Sequence, residues 1–139
     1  MKRSLLLIFF SLICLSAAAS VIIDFFGVAT CQECLEAEMM IDSLSYEVEE
    51  AVVVNKFMLN ESKNQELKLK YARVYGVDES ELDLYPMIFV GKDAFTPSNM
   101  SPDLLLESMM NYSQEERDIK LSEIEAFGED VSQRITDRY

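Results

Sequence analysis

The sequence predicts an α/β fold: a central mixed four-stranded sheet flanked by helices, with an additional C-terminal helix. Three observations carry the prediction. Short β-branched and aromatic runs alternate with helical periodicities in the order strand, helix, strand, helix, hairpin, helix. A helix between the first two strands makes them parallel neighbours joined by a right-handed crossover, with helices on both faces of the sheet. The chain of 139 residues, half of them apolar, suffices for one core and leaves little for a second.

The first twenty residues, MKRSLLLIFFSLICLSAAAS, stand apart from the fold. Lys2 and Arg3 precede an apolar run from Leu5 to Leu15, and Ala17 to Ala19 offer a small-x-small cleavage site. This is a signal-peptide pattern, so residues 1–19 are expected to be removed and the chain exported to a periplasmic, extracellular or lumenal compartment. The alternative is an uncleaved membrane anchor, because apolar character continues through Val21 to Phe26. Asp24 argues against it, since a carboxylate within a span is costly.

The remaining elements follow in order. Val21 to Phe26 is a short β-branched and aromatic run ending at Gly27, as a buried central strand would be. From Cys31, the residues Cys34, Ala37, Met40, Ile41 and Leu44 recur at helical spacing, with Glu33, Glu36, Glu38 and Asp42 off that face. Thr30 is the expected N-cap, with Glu33 three residues later completing a capping box, so the helix is expected to begin at Cys31. Ala51 to Phe57 is the second strand, and Leu67, Tyr71 and Val74 mark the buried face of a helix from Ser62 to Tyr75 that Gly76 closes. The acidic stretch Val77 to Leu84 reads as a loop or short helical turn before Tyr85-Pro86. Met87 to Val90 is the third strand, Gly91-Lys92-Asp93 the turn, and Ala94 to Thr96 the return strand of a hairpin. Ser101 caps a helix with Pro102 at its first position, running on through Tyr112.

The globular domain is thus placed at residues 20–112, and residues 113–139 form a charged tail. In that tail Leu121, Ile124, Phe127, Val131 and Ile135 fall on one helical stripe, weakened by Gly128. Packing on its own domain is expected, with a dimer through this helix, or a tether to something larger, as alternatives.

Removing Lys2 and Arg3 takes the net charge from −13 to −15, and the chain has no histidine. So acidic a surface argues against nucleic acid and anionic membrane as partners. Three cysteines are present, of which Cys14 lies in the signal segment. The two that remain, Cys31 and Cys34, are too close in sequence to staple distant parts of a secreted domain.

Two thiols two residues apart on the first turn of a helix can close a local disulfide, and the helix N-terminus favours a thiolate. Cys31, nearer the helix end, is the expected nucleophile toward a substrate disulfide. Cys34, on the buried face, is the expected resolving thiol. Gln32 and Glu33 modulate the pair: a carboxylate beside it disfavours thiolate, stabilises the disulfide and points to the reducing side. An inert disulfide and a metal half-site are the alternatives. The second would need two further ligands in a chain without histidine, so no metal is expected.

With these residues assembled, the chain resembles the thioredoxin superfamily. The segment IIDFFGVATCQEC, residues 22–34, is similar to its strand, active-site loop and helix, and YPMIFVGKDAF, residues 85–95, to its proline-then-hairpin segment. The short format, without an extra strand before the first, is closer to small glutaredoxin-like members. The resemblance implies a thioredoxin-like fold and a thiol:disulfide oxidoreductase using Cys31 and Cys34 without a bound cofactor beyond their own disulfide. It implies that Pro86 is the family's cis-proline, presenting the Tyr85 backbone to an extended substrate. Asp24 resembles the buried acid that relays a proton beneath the cysteines, with one extra residue separating it from Cys31. The alternative for Asp24 is a solvent-facing strand-end position.

Two departures from the family pattern bear on specificity. Thr30 stands where an aromatic residue is common, and Tyr85 is bulkier than usual. With Pro86 they are expected to border the substrate and to select a dedicated protein thiol partner. A non-catalytic binding module, and a soluble domain relaying electrons for a membrane redox protein, are the competing functions. Asn60, Asn99 and Asn111 each begin an N-x-Ser sequon.

Overall fold

The computed structural model describes residues 19–136, with side chains described as far as Gly128. Residues 1–18, the body of the expected signal peptide with Cys14, lie outside the described residues. Strand β1 (Ser20–Gly27) leads through a four-residue loop to helix α1 (Gln32–Ser45). Strand β2 (Ala51–Met58) and helix α2 (Ser62–Val74) follow, then a single 3₁₀ turn at Glu79–Glu81. The hairpin is β3 (Met87–Val90) and β4 (Asp93–Phe95), and helices α3 (Pro102–Met110) and α4 (Gln114–Thr136) close the chain.

The four strands form one sheet in the order β2-β1-β3-β4. β1 runs parallel to β2 along its whole length, from Ser20 opposite Ala51 to Gly27 opposite Met58. β3 lies antiparallel to β1, and β4 antiparallel to β3. Among the described residues the architecture is therefore α/β with an open mixed sheet and four helices, as the element order requires.

β1 is the central element, and both of its faces are buried. Val21, Ile23 and Phe25 enter one core with Cys34, Ala37 and Ile41 of α1 and Leu105 and Met109 of α3. Phe26 enters the other with Tyr71 and Ala72 of α2, Phe89 and Ile124 of α4. In that second core Phe26 stacks on Phe57 at 4.7 Å between ring centroids and meets Tyr71 and Phe89 edge-on.

Local signals terminate the elements largely where the sequence places them. Gly76 takes φ +74 after α2, with Val77 N–H donating to Ala72 O at 2.8 Å and Gly76 N–H to Arg73 O at 3.2 Å, a Schellman closure. Gly91 takes φ +58 in the two-residue hairpin turn, so the return strand begins at Asp93, one residue earlier than expected. Ser101 Oγ accepts from Leu104 N–H, with Pro102 at the first helical position. The tail stripe packs on its own domain: Ile124 is buried, Leu121 is partly buried, and α4 lies against α2. The side chains of Val131 and Ile135 lie outside the described residues.

Candidate functional site

α1 begins at Gln32, and its N-cap is Cys31 rather than Thr30. The Cys31 backbone is extended (φ −91°, ψ 122°), and its Sγ accepts from Cys34 N–H at 3.1 Å. The sulfur thus takes the place a serine or threonine hydroxyl fills in an ordinary cap. This displaces Thr30, which lies exposed in the preceding turn, and with it the capping box through Glu33. The physical reason is the turn closed by Cys31 N–H onto Val28 O, which delays helical geometry by one residue.

Both cysteines are free thiols. Cys31 is partly exposed, whereas Cys34 is 2% exposed and packs into the core with Phe25 and Ala37. Burial pushes the Cys34 thiol up to about 11. The hydrogen bond with Cys31 and the charges of Cys31 and Glu33 add to the rise, and a Val28 backbone hydrogen bond opposes it. Gln32 and Glu33 between the cysteines are exposed, and Gln32 Nε2 donates to Glu36 Oε1 at 3.0 Å.

The Tyr85–Pro86 peptide is cis, and β3 begins immediately after it. Since Met87 pairs with Phe26, Pro86 reaches the end of β1 at Gly27, beside the cysteine loop. A cleft of about 190 Å³ joins Pro86 to Glu33, Glu36, Met40, Pro97 and Met100. A second, of about 360 Å³, joins exposed Tyr85 to Val28, Gln65, Lys68 and Asp83. Lys68 is buried, donates to Leu84 O at 3.2 Å, and has its pKa lowered by desolvation, so a cation borders the Tyr85 side. Sequence reading passed over Lys68 because it takes the form of an ordinary surface lysine of an amphipathic helix.

Asp24 does not lie beneath the cysteines. It sits on the opposite face of β1, with Oδ1 accepting from Asn55 Nδ2 at 3.0 Å and Oδ2 from Tyr71 OH at 3.3 Å. Arg117 Nη2 of α4 reaches both oxygens, at 3.2 and 3.1 Å. The alternative of a solvent-facing position fails too, because Asp24 is fully buried. The extra residue between Asp24 and Cys31 explains the correction: strand alternation gives the place facing Cys34 to Phe25. The Tyr71 hydroxyl, buried and beside the Asp24 carboxylate, is held neutral well above the usual phenol range.

Gly27 is fixed by close approach. A Cβ there would stand 2.7 Å from Phe25 Cε1 and 3.2 Å from Cys34 Sγ. Gly27→Ala is expected to destabilise the reduced chain by about 1–3 kcal/mol through overpacking, measured by denaturant unfolding. An unchanged midpoint would mean that the ring moves aside freely.

A cleft of about 790 Å³ lies at the β4 edge and shares no residue with the cysteine site. Its polar groups bond one another, Ser108 to Asp93 and Thr96 to Glu81. Among the described residues no three His, Cys, Asp or Glu side chains converge as a metal site, and no helix is long and apolar enough to cross a membrane. Comparison of the chain with protein-family models, with curated proteins and with solved structures finds no match in any of the three.

Proposed function

We propose that this chain is an exported thiol:disulfide exchange protein with a thioredoxin-like fold, acting on protein thiols through Cys31 and Cys34. The observation that carries the reading is the asymmetry of the pair: a partly exposed cysteine at the helix N-cap, with its partner buried one turn behind and donating a backbone N–H to its sulfur. The parallel β1-α1-β2 unit, the antiparallel hairpin opened by Pro86, and the clefts beside Tyr85 and Pro86 support the same reading.

In the reducing direction, the Cys31 thiolate attacks one sulfur of a substrate disulfide, forming a Cys31–substrate bond and releasing the other substrate sulfur as thiolate. The Cys34 thiolate then attacks Cys31 Sγ. The Cys31–Cys34 disulfide forms, the second substrate sulfur leaves as thiolate, and two electrons have passed from the pair to the substrate. The charge of the exposed Glu33 adds to the rise of the Cys34 thiol and disfavours thiolate in the reduced pair, which supports a reductant or electron relay over a strong oxidant.

The test is trapping. Cys34→Ser is expected to accumulate a mixed disulfide on Cys31 when offered a disulfide-bonded model protein, and Cys31→Ser to accumulate none. Absence of adducts on Cys34→Ser, with a Cys31–Cys34 disulfide that resists dithiol reductants, sinks the reading. That outcome would favour a non-catalytic binding module. One observation speaks for this second reading: an apolar Phe25 ring, not a proton-carrying group, lies against Cys34.

A further inference from the structure

β2 is an edge strand. It pairs with β1 along all eight residues, and among the described residues no strand lies on its other side. Long edges are ordinarily blunted by proline, bulges or several charges. β2 reads Ala-Val-Val-Val-Asn-Lys-Phe-Met, with one charge and no proline, whereas the opposite edge, β4, is only three residues long.

Side chains alternate across β2. Val52 and Val54 pack toward the α1 core and Lys56 Nζ reaches Glu38 of α1 at 2.8 Å, while Asn55 and Phe57 serve the opposite face. Glu50, just before the strand, lies on the α1 side beside Val21 and Met109. A groove of about 560 Å³ runs between α1 and β2, lined by Leu35, Met39, Tyr46, Val52 and Val54. Met39 is 61% exposed, Tyr46 85% and Val53 44%, so apolar side chains gather along this edge.

We propose that two copies of the chain pair through β2, antiparallel about a two-fold axis at Val53, to make one eight-stranded sheet with both α1 helices on the same face. The occupant is a second copy because the edge is complementary to itself. In this register Val53 opposes Val53 of the second copy, Val52 opposes Val54, Ala51 opposes Asn55, and Glu50 opposes Lys56. An axis normal to the sheet keeps each opposed pair on one face, so the Glu50–Lys56 contact forms twice on the α1 side. Moving the centre one residue either way sets Lys56 against Val48 or Val52, and Glu50 against Val54 or Met58. Only the Val53 centre joins the charges. The partner's α1 then covers the Met39 and Tyr46 surface. Because the two β1 strands point in opposite directions, the two cysteine sites lie at opposite ends of the joined sheet and stay open. The interface is therefore independent of the thiol chemistry proposed above.

Sedimentation of the full chain at physiological ionic strength is expected to show a dimer. Glu50→Lys and Lys56→Glu, each bringing like charges together, should weaken it by at least about tenfold in Kd, and the double swap should restore it. Val53→Lys, an exposed substitution, should give a monomer with unchanged circular dichroism. A wild-type chain that stays monomeric at high micromolar concentration overturns the proposal. So does a dimer indifferent to both single reversals or persisting in Val53→Lys, or a double swap that fails to recover association.

Discussion

Replacing Arg117 by methionine should lower the stability of the chain by about 3–5 kcal/mol, which is a large part of what a domain this size possesses. The reason is burial on both sides of the ion pair: the Asp24 side chain is 2% exposed and that of Arg117 12%. Without the guanidinium, the carboxylate keeps only Asn55 and Tyr71 as donors and stays buried as an uncompensated charge. Arg117 Nε itself is buried with no acceptor, so the pair is imperfectly satisfied. Adding Asp24→Asn to Arg117→Met should therefore recover part of the loss, since the charge goes with its partner. Chemical unfolding of the single and double variants measures both. Truncation before Ser113 should cost at least as much as Arg117→Met, because it also uncovers the pocket of Ile124. If Arg117→Met unfolds within about 1 kcal/mol of the parent chain, α4 is an appendage and not part of the domain.

The second large effect concerns pH. With the Cys34 thiol pushed up to about 11, only a small fraction is thiolate near neutrality, and attack on a mixed disulfide at Cys31 scales with that fraction. The resolving step should accelerate about tenfold per pH unit from pH 7 for as long as the buried Cys34 stays mostly protonated. Rapid mixing of a preformed Cys31 mixed disulfide, followed by quenching at intervals, reads the rate directly. A resolving rate equal at pH 7 and pH 9 would show that some group takes the Cys34 proton in spite of the Phe25 ring. The same shift fixes the sign of a stability effect in the reduced chain. The unfolded thiol releases its proton near its ordinary value of 9, and the folded one near 11. Cys34 thus contributes stability that is fully present below about pH 9 and is lost as pH rises toward 11.

Much of this fold is legible along the chain because its signals are local. The crossover order of β1, α1 and β2, the Gly76 closure, the Ser101-Pro102 helix start and the hairpin after Pro86 each depend on a few adjacent residues. The cysteine pair at a helix start is legible for the same reason. The cap was misplaced by a single residue, since a thiol can accept the N–H that Thr30 was expected to take.

The tertiary structure alone decided which side chain meets which. β1 is apolar on both faces, so its sequence carries no alternation to say whether Asp24 or Phe25 looks toward Cys34. One residue more in the strand-to-helix segment settles it, and only the packed sheet reveals the choice. Arg117 is the sharper case. It is separated from Asp24 by 93 positions, in a tail whose charge reads as solvated surface, and no local pattern links the two. The sequence determined the elements, their order and the position of the cysteine pair, because propensity, capping and periodicity act over a turn or a strand. The faces of β1, the partner of its buried carboxylate and the open edge at β2 came from contacts between distant segments, which exist only once the chain is folded.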